Sequence, residues 1–188
     1  MEKKKVLFID RDGTLILETD DFKIEKFEKL IFFPNVFQYL GRIARELNYE
    51  LVMVTNQDGL GTPSFPEKDF WEVQKFIEQC FENEQIHFEK VFIDKSYPEE
   101  NLPTRKPGTG MLTEYFSDQY DLPKSLVIGD RITDVKLGKN LGCKCIWMND
   151  GRNLGSTDIT EDRHQLKEFI AIETRDWEKI YEYLRDLK

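Results

Sequence analysis

An α/β fold, with a parallel sheet covered by helices on both faces, is predicted by three observations. Short apolar runs, Val6-Leu7-Phe8-Ile9, Leu51-Val52-Met53-Val54 and Leu126-Val127-Ile128, read as strands buried on both faces rather than as alternating, half-exposed ones. Segments with apolar residues at helical spacing lie between them. Each run then ends in polar groups: Asp10-Arg11-Asp12-Gly13-Thr14, Thr55-Asn56-Gln57 and Gly129-Asp130-Arg131. Open α/β sheets hold their ligands at the carboxyl ends of their strands. The polar ends are therefore the place to look for chemistry.

The elements follow in order. Residues 5–10 read as the first strand. The stretch 15–33 is acidic and aromatic without clear periodicity, and it is expected to be a loop or hairpin flap. Val36, Leu40, Ile43 and Leu47 recur at helical spacing. A strand at 50–55 leads into a Gly/Pro/Ser-rich loop from Asp58 to Pro66. Phe70, Val73, Ile77, Cys80 and Phe81 form one apolar helical face, which places Cys80 in the core. A third strand is expected at 88–94, then a proline- and charge-rich loop to Pro107. A helix over 108–120 precedes the strand at 125–129. A further helix at 132–141 stops at Gly142, a terminating residue type. Residues 145–148 read as a fifth strand, 149–162 as a loop and 168–173 as a short strand. Trp177, Ile180, Tyr181 and Leu184 mark a last amphipathic helix.

A length of 188 residues suits one domain, 1–188, with a full core. About 40 residues separate Thr14 from Thr55 and include a whole helix, which leaves no room for a large cap domain. An open site for a small substrate is expected. The net charge of −9 opposes binding to nucleic acid or an anionic membrane, since phosphate neutralisation needs clustered cations. The one basic run, Lys3-Lys4-Lys5, reads as a solvated tail. Three cysteines and no secretory leader point to a reducing, cytoplasmic setting. No apolar run approaches the ~18 residues of a membrane span.

Asp10-x-Asp12-Gly13-Thr14, then Thr55-Asn56-Gln57, then Lys106 before a helical pattern, then Gly129-Asp130 with Asp134 four residues on, resemble the four motifs of the haloacid dehalogenase-like phosphatases. The resemblance runs from about Val6 to Trp147 and implies a three-layer Rossmann-like fold. It also gives each group a task. A phosphatase must neutralise phosphoryl oxygens, hold a nucleophile in line and protonate the leaving oxygen. Asp10 is suited to attack phosphorus and form an aspartyl-phosphate. Asp12 is suited to protonate the leaving alkoxide and then deprotonate water. Clustered carboxylates repel unless a divalent cation joins them, and hard oxygen donors suit Mg²⁺. The family pattern implies Asp10, the backbone carbonyl of Asp12 and Asp130 as its ligands, with Asp134 supporting that shell. Thr55 is expected to donate its hydroxyl to the phosphate, with Asn56 and Gln57 assisting from the loop. Lys106 carries the balancing charge, and Arg105 is a further candidate contact.

Phe8-Ile9-Asp10-Arg11-Asp12-Gly13-Thr14-Leu15, Thr55-Asn56-Gln57-Asp58-Gly59-Leu60-Gly61-Thr62 and Val127-Ile128-Gly129-Asp130-Arg131 are similar to the histidinol-phosphate phosphatase domain. That domain is often fused to imidazoleglycerol-phosphate dehydratase, so the chain is either derived from such a fusion or a single-function enzyme. Relatives of this type carry a Cys/His zinc loop before the lysine motif. The matching stretch here, 94–107, has neither residue, so no zinc is expected and Pro98, Pro103 and packing must hold the loop. Glu18, close to the catalytic turn, is expected to read the substrate's cationic end, with Asp20 and Asp21 as weaker candidates. The alternatives are a heptose 1,7-bisphosphate phosphatase and a silent Mg²⁺-binding module.

Overall fold

The computed structural model describes residues 3–152 and 163–187. Strands β1 (Lys5–Ile9), β2 (Tyr49–Asn56), β3 (Phe88–Asp94), β4 (Leu126–Gly129), β5 (Lys144–Trp147) and β6 (Ile170–Glu173) form one sheet in the order β3-β2-β1-β4-β5-β6. Every pairing is parallel. The chain runs outward from β1 to β3 on one side and returns to build β4 to β6 on the other. The direction of winding therefore switches beside β1, the position where open sheets form a crevice at their carboxyl ends.

Alternation along each strand divides the interior in two, because successive side chains point to opposite faces. Leu7, Ile9, Leu51, Met53, Ile128 and Ile146 pack under helices α1 (Val36–Glu46), α2 (Glu67–Asn83) and α5 (Trp177–Asp186). Val6, Phe8, Val52, Val54, Val127 and Cys145 pack under α3 (Ile132–Leu141), the 110–116 segment and the single turn α4 (Arg163–Leu166). Asp176 caps α5 by accepting from the Glu178 amide at 2.9 Å. No described helix is long and apolar enough to cross a membrane.

Four expectations are corrected. The 15–33 segment is more than a flap: Leu15, Ile16 and Ile24 are fully buried in the first core. It is pinned by a bridge from Ile16 to Phe32 and by Leu17 N–H donating to Ile31 O at 2.7 Å. The 108–120 helix is a kinked 3₁₀ segment, Gly110–Phe116. Cys80 lies at the edge of the α2 face and is half-buried, while Gln74 is the fully buried member that the apolar pattern passes over. The 94–107 loop is held less by its prolines than by hydrogen bonds. Asp94 accepts from the Ser96 amide at 2.9 Å, from the Ser96 hydroxyl and from Thr104 Oγ1 at 2.5 Å. The loop expected over 149–162 lies mostly outside the described residues.

Candidate active site

The catalytic turn grows directly out of β1. Asp10 N–H donates to Ile128 O at 2.9 Å, which keeps the strand paired up to that residue. Leu15 and Ile16 amides then both return to Arg11 O, at 2.9 and 3.1 Å. Trp177, fully buried on α5, donates its indole N–H to Thr14 O at 3.2 Å and fixes the turn from behind. Gly13 sits at φ +74°, and a Cβ there would lie 2.3 Å from Asp130 Oδ2. Gly13→Ala is therefore expected to unfold more easily by roughly 1–2 kcal/mol from backbone strain alone, and to lose activity as Asp130 is displaced. Chemical denaturation together with phosphate release checks this. Gly129 is needed for the same kind of reason, since a Cβ there would lie 2.3 Å from the Asp134 carboxyl carbon.

Lys106 is the pivot of the charge arrangement. Its Nζ lies 2.7 Å from Asp10 Oδ1 and donates to Asp134 Oδ1 at 2.8 Å, with the side chain 5% exposed. Burial pulls the ammonium down, but the charges of Asp10 and Asp134 outweigh it and hold its pKa above the usual lysine value. Asn56 brings the lysine here. Its Oδ1 accepts from Lys106 N–H at 3.0 Å and its Nδ2 donates to Lys106 O at 3.1 Å. That reciprocal pair joins the end of β2 to the loop, and Asn56, which also lines the cavity, keeps a second N–H on Nδ2.

Asp10, Asp130 and Asp134 bring one carboxylate oxygen each within 4.8 Å of one another, and all three are buried. Asp134 is satisfied by Lys106 and by the Arg131 amide, 3.0 Å from its Oδ2. Asp130 Oδ1 is buried with no partner among the described residues. Burial, then the charge of Asp10, push the Asp130 carboxyl well above the usual carboxylate range. Burial likewise raises Asp134. An orphaned anionic oxygen beside two further carboxylates fits a hard divalent cation. It also gives a sign for the pH dependence. A carboxyl whose folded pKa is raised binds protons that the unfolded chain would release. The repulsion therefore destabilises the metal-free fold above the folded value and is relieved as pH falls through it. Mg²⁺ is expected to raise the melting temperature most near neutral pH and progressively less as protons compete. At a hundredfold excess over Kd the stabilisation is about 2.7 kcal/mol. Thermal melts with Mg²⁺ and with chelator, from about pH 8 down to about pH 5, read the difference.

Beside these groups lies a cavity of about 290 Å³, whose lining includes the buried Asp10, Thr55, Lys106 and Thr133, with Asp12, Asn56, Phe22, Lys23, Tyr97 and Arg131. Thr55 is 1% exposed, and its Oγ1 accepts from Gln57 Nε2 at 2.8 Å. The same Nε2 donates to Asp12 Oδ2 at 2.6 Å. Gln57 is thus a site residue whose partner could not be read from the sequence. Arg131 and Lys23 are cavity cations that sequence reasoning left without a role, although Arg131 directly follows Gly129-Asp130.

Two further candidates are committed elsewhere. Arg105 donates to Asp58 at 2.5 and 3.2 Å and to Ser96 O at 2.8 Å, and it is not among the groups lining the cavity. Glu18, with its side chain 2% exposed, pairs with Arg131 and lies 3.2 Å from Arg152. Burial raises its carboxyl and Arg131 opposes that shift. Asp20 is exposed, and Asp21 is bound by Lys29 at 2.6 Å, which holds its carboxyl down at about 2. Glu18, Asp21 and Asp58 line the cavity, and each is already matched by a protein cation. Glu18→Gln is accordingly expected to lower kcat/KM by up to about tenfold on every ester alike, because it loosens Arg131. Parallel assays on a cationic and a neutral phosphate ester check this.

The remaining candidates for chemistry read as structural. Cys143 and Cys145 are buried, and burial pushes both thiols up, Cys143 to about 12, which keeps them protonated and unreactive. His87 is paired with Glu82 at 3.0 Å on the surface.

A parallel sheet with a switch point beside β1, a carboxylate trio and a bridging lysine place a candidate active site at the carboxyl ends of β1, β2 and β4. The family described as HAD-hydrolase-like matches residues 103–171. The structure resembles that of D,D-heptose 1,7-bisphosphate phosphatase from B. bronchiseptica, complexed with magnesium and phosphate. The TM-score is 0.79 at 20% identity, over 98% of this chain and 99% of that one. In sequence the chain is 49% identical to the histidine biosynthesis bifunctional protein HisB of Bacteroides fragilis, over 97% of its own length and 48% of the relative. It is 47% identical to the protein of the same name from Spirosoma linguale, over 97% of its length and 49% of the relative. The chain thus spans about half the length of these relatives. It shares its fold with solved phosphatases and part of its length with the HAD-hydrolase-like family.

Proposed function

We propose that this chain is a phosphatase of the haloacid dehalogenase type that hydrolyses L-histidinol phosphate to L-histidinol and phosphate, with Mg²⁺, through an aspartyl-phosphate on Asp10. The observation that supports the chemistry best is the cluster around Asp10 on the wall of the cavity. Asp10 is held 2.7 Å from a buried lysine there, next to Asp12 and Thr55 and beside an acid with an unpartnered oxygen. In this reading the Asp10 carboxylate attacks phosphorus as the bond to the leaving oxygen breaks, and Asp12 gives that oxygen its proton. Asp12 then takes a proton from water, which attacks the phosphorus and frees Asp10. Lys106 balances Asp10 throughout, and the Thr55 hydroxyl donates to a phosphoryl oxygen. Asp10, the Asp12 carbonyl and Asp130 would hold the metal, with Asp134 in support. Mg²⁺ there would neutralise phosphoryl oxygens and the clustered carboxylates.

The choice of substrate rests on the likeness to the histidine biosynthesis proteins. The same reading takes 1–188 as one phosphatase unit of the cytoplasm, joined to or derived from a dehydratase-containing chain. The 15–33 flap and the 94–107 loop wall its site in place of a separate cap, and zinc is not required. One observation favours a second reading: Lys23 and Arg131, the latter paired with Glu18, line the cavity as cations suited to the second phosphate of heptose 1,7-bisphosphate. Phosphate release from histidinol phosphate, heptose 1,7-bisphosphate and a 3′-phosphorylated oligonucleotide separates the readings. Preference for the bisphosphate by kcat/KM would replace the first reading with the second. Release from none of them would leave the silent Mg²⁺-binding module.

A further inference from the structure

Arg11 stands between the two acids of the catalytic turn and has no part in the chemistry described so far. Its side chain is fully buried, 0% exposed, which is rare for a permanently charged guanidinium. Such a charge destabilises a fold by several kcal/mol unless a counter-charge meets it. The carboxylate that meets it is Asp12: Nη1 donates to both of its oxygens, at 3.3 and 3.2 Å. Nη2 donates to Ile24 O in the 15–33 segment at 3.3 Å, and the guanidinium lies 5.0 Å from the ring centroid of Phe70 on α2. Arg11 is therefore held through Nη2 and its face by groups that do not line the cavity and presents Nη1 to Asp12, while its buried Nε has no partner among the described residues. Gln57 grips the same carboxylate from the end of β2. Asp12, 14% exposed, meets the cavity held from both sides.

We propose that Arg11 is a positioning residue, which holds the Asp12 carboxylate in the one orientation from which it reaches the leaving oxygen and ties that orientation to the buried 15–33 segment. The inference rests on the phosphatase reading above and extends it. A residue that acts through Asp12 matters in proportion to the proton that Asp12 must deliver. An alkyl phosphate leaves as a strongly basic alkoxide and needs that proton; p-nitrophenyl phosphate leaves as a stable phenolate and scarcely does. A residue that merely supports the fold would affect both esters alike.

The test is kcat/KM, which reports the step that breaks the ester bond, for Arg11→Lys and Arg11→Met on p-nitrophenyl phosphate and on the alkyl ester that the unaltered protein turns over best. Arg11→Lys keeps the charge but cannot span Asp12 and Ile24 together. It is expected to lose roughly 10- to 100-fold on the alkyl ester and less than about threefold on the aryl ester, a fraction of what a general acid contributes. Arg11→Met should widen the same gap. If Arg11→Met does not fold, Arg11→Lys decides alone. Equal losses on the two esters, or no loss on either, would overturn the role of Arg11 and leave the phosphatase reading standing. No phosphate release by the unaltered protein from any ester would overturn that reading, and this inference with it.

Discussion

Asp10→Asn is expected to reduce phosphate release by at least roughly 10³-fold, the scale on which removing a covalent nucleophile acts. The amide is nearly isosteric with the carboxylate but is a poor nucleophile. Loss of fold is not the expected cause. Asp10 repels Asp130, raising its carboxyl, so the amide relieves one buried repulsion while giving up one charge contact to Lys106. Lys106 keeps its hydrogen bond to Asp134. The melting temperature in chelator should therefore move by no more than about 3 °C, the equivalent of about 1 kcal/mol in a domain of this size. Activity assays and melts on the same preparation separate the two effects. An inactive variant that has also unfolded would say nothing of the nucleophile, and an active one would exclude Asp10 from that role.

The largest stability effect is expected at Lys106→Met. The methionine fills the space of the lysine stem, so packing is largely conserved, but Asp10 and Asp134 lose the ammonium that lies between them. Removing one partner of a buried charge pair destabilises by about 3–5 kcal/mol, because the remaining charge stays desolvated. Urea unfolding in chelator reads this directly as a fall in midpoint at unchanged slope. Excess Mg²⁺ should recover part of the stability, since a divalent cation can take over the neutralisation of Asp10, and it should recover little of the activity. Loss of less than about 1 kcal/mol would place the charge balance on other groups.

The sequence carried the centre of the sheet plainly because β1, β2 and β4 are buried on both faces over short unbroken apolar runs. It carried α3 to the residue, because Asp134 sits in its first turn and Gly142 ends it. The 15–33 segment was opaque because isolated bridges and single hydrogen bonds hold it in the core, and these leave no period to read. The kinked 3₁₀ form of 110–116 breaks the helical period, and the turn before it needs glycine: a Cβ on Gly108 would lie 2.3 Å from Pro103 O. The site divided along a similar line. The residues that end strands, Asp10, Thr55 and Asp130, could be located by following each apolar run to its end. What Asn56, Arg105 and Glu18 touch could not. Their partners lie 50, 47 and 113 residues away along the chain, and only folding brings them close. Acids near the catalytic turn looked free to read a cationic substrate, whereas in the fold Glu18, Asp21 and Asp58 each already have a cation beside them.

The central claim is that phosphate passes through a covalent bond to Asp10, and chemical trapping tests it most directly. Borohydride reduces an acyl phosphate to the alcohol, so quenching the protein during turnover of histidinol phosphate should convert Asp10 to homoserine. The proposed route predicts that conversion at Asp10, dependent on substrate and Mg²⁺ and absent from Asp12, Asp130 and Asp134. Steady phosphate release with no reduction at Asp10, or with reduction at another of these acids, would contradict it.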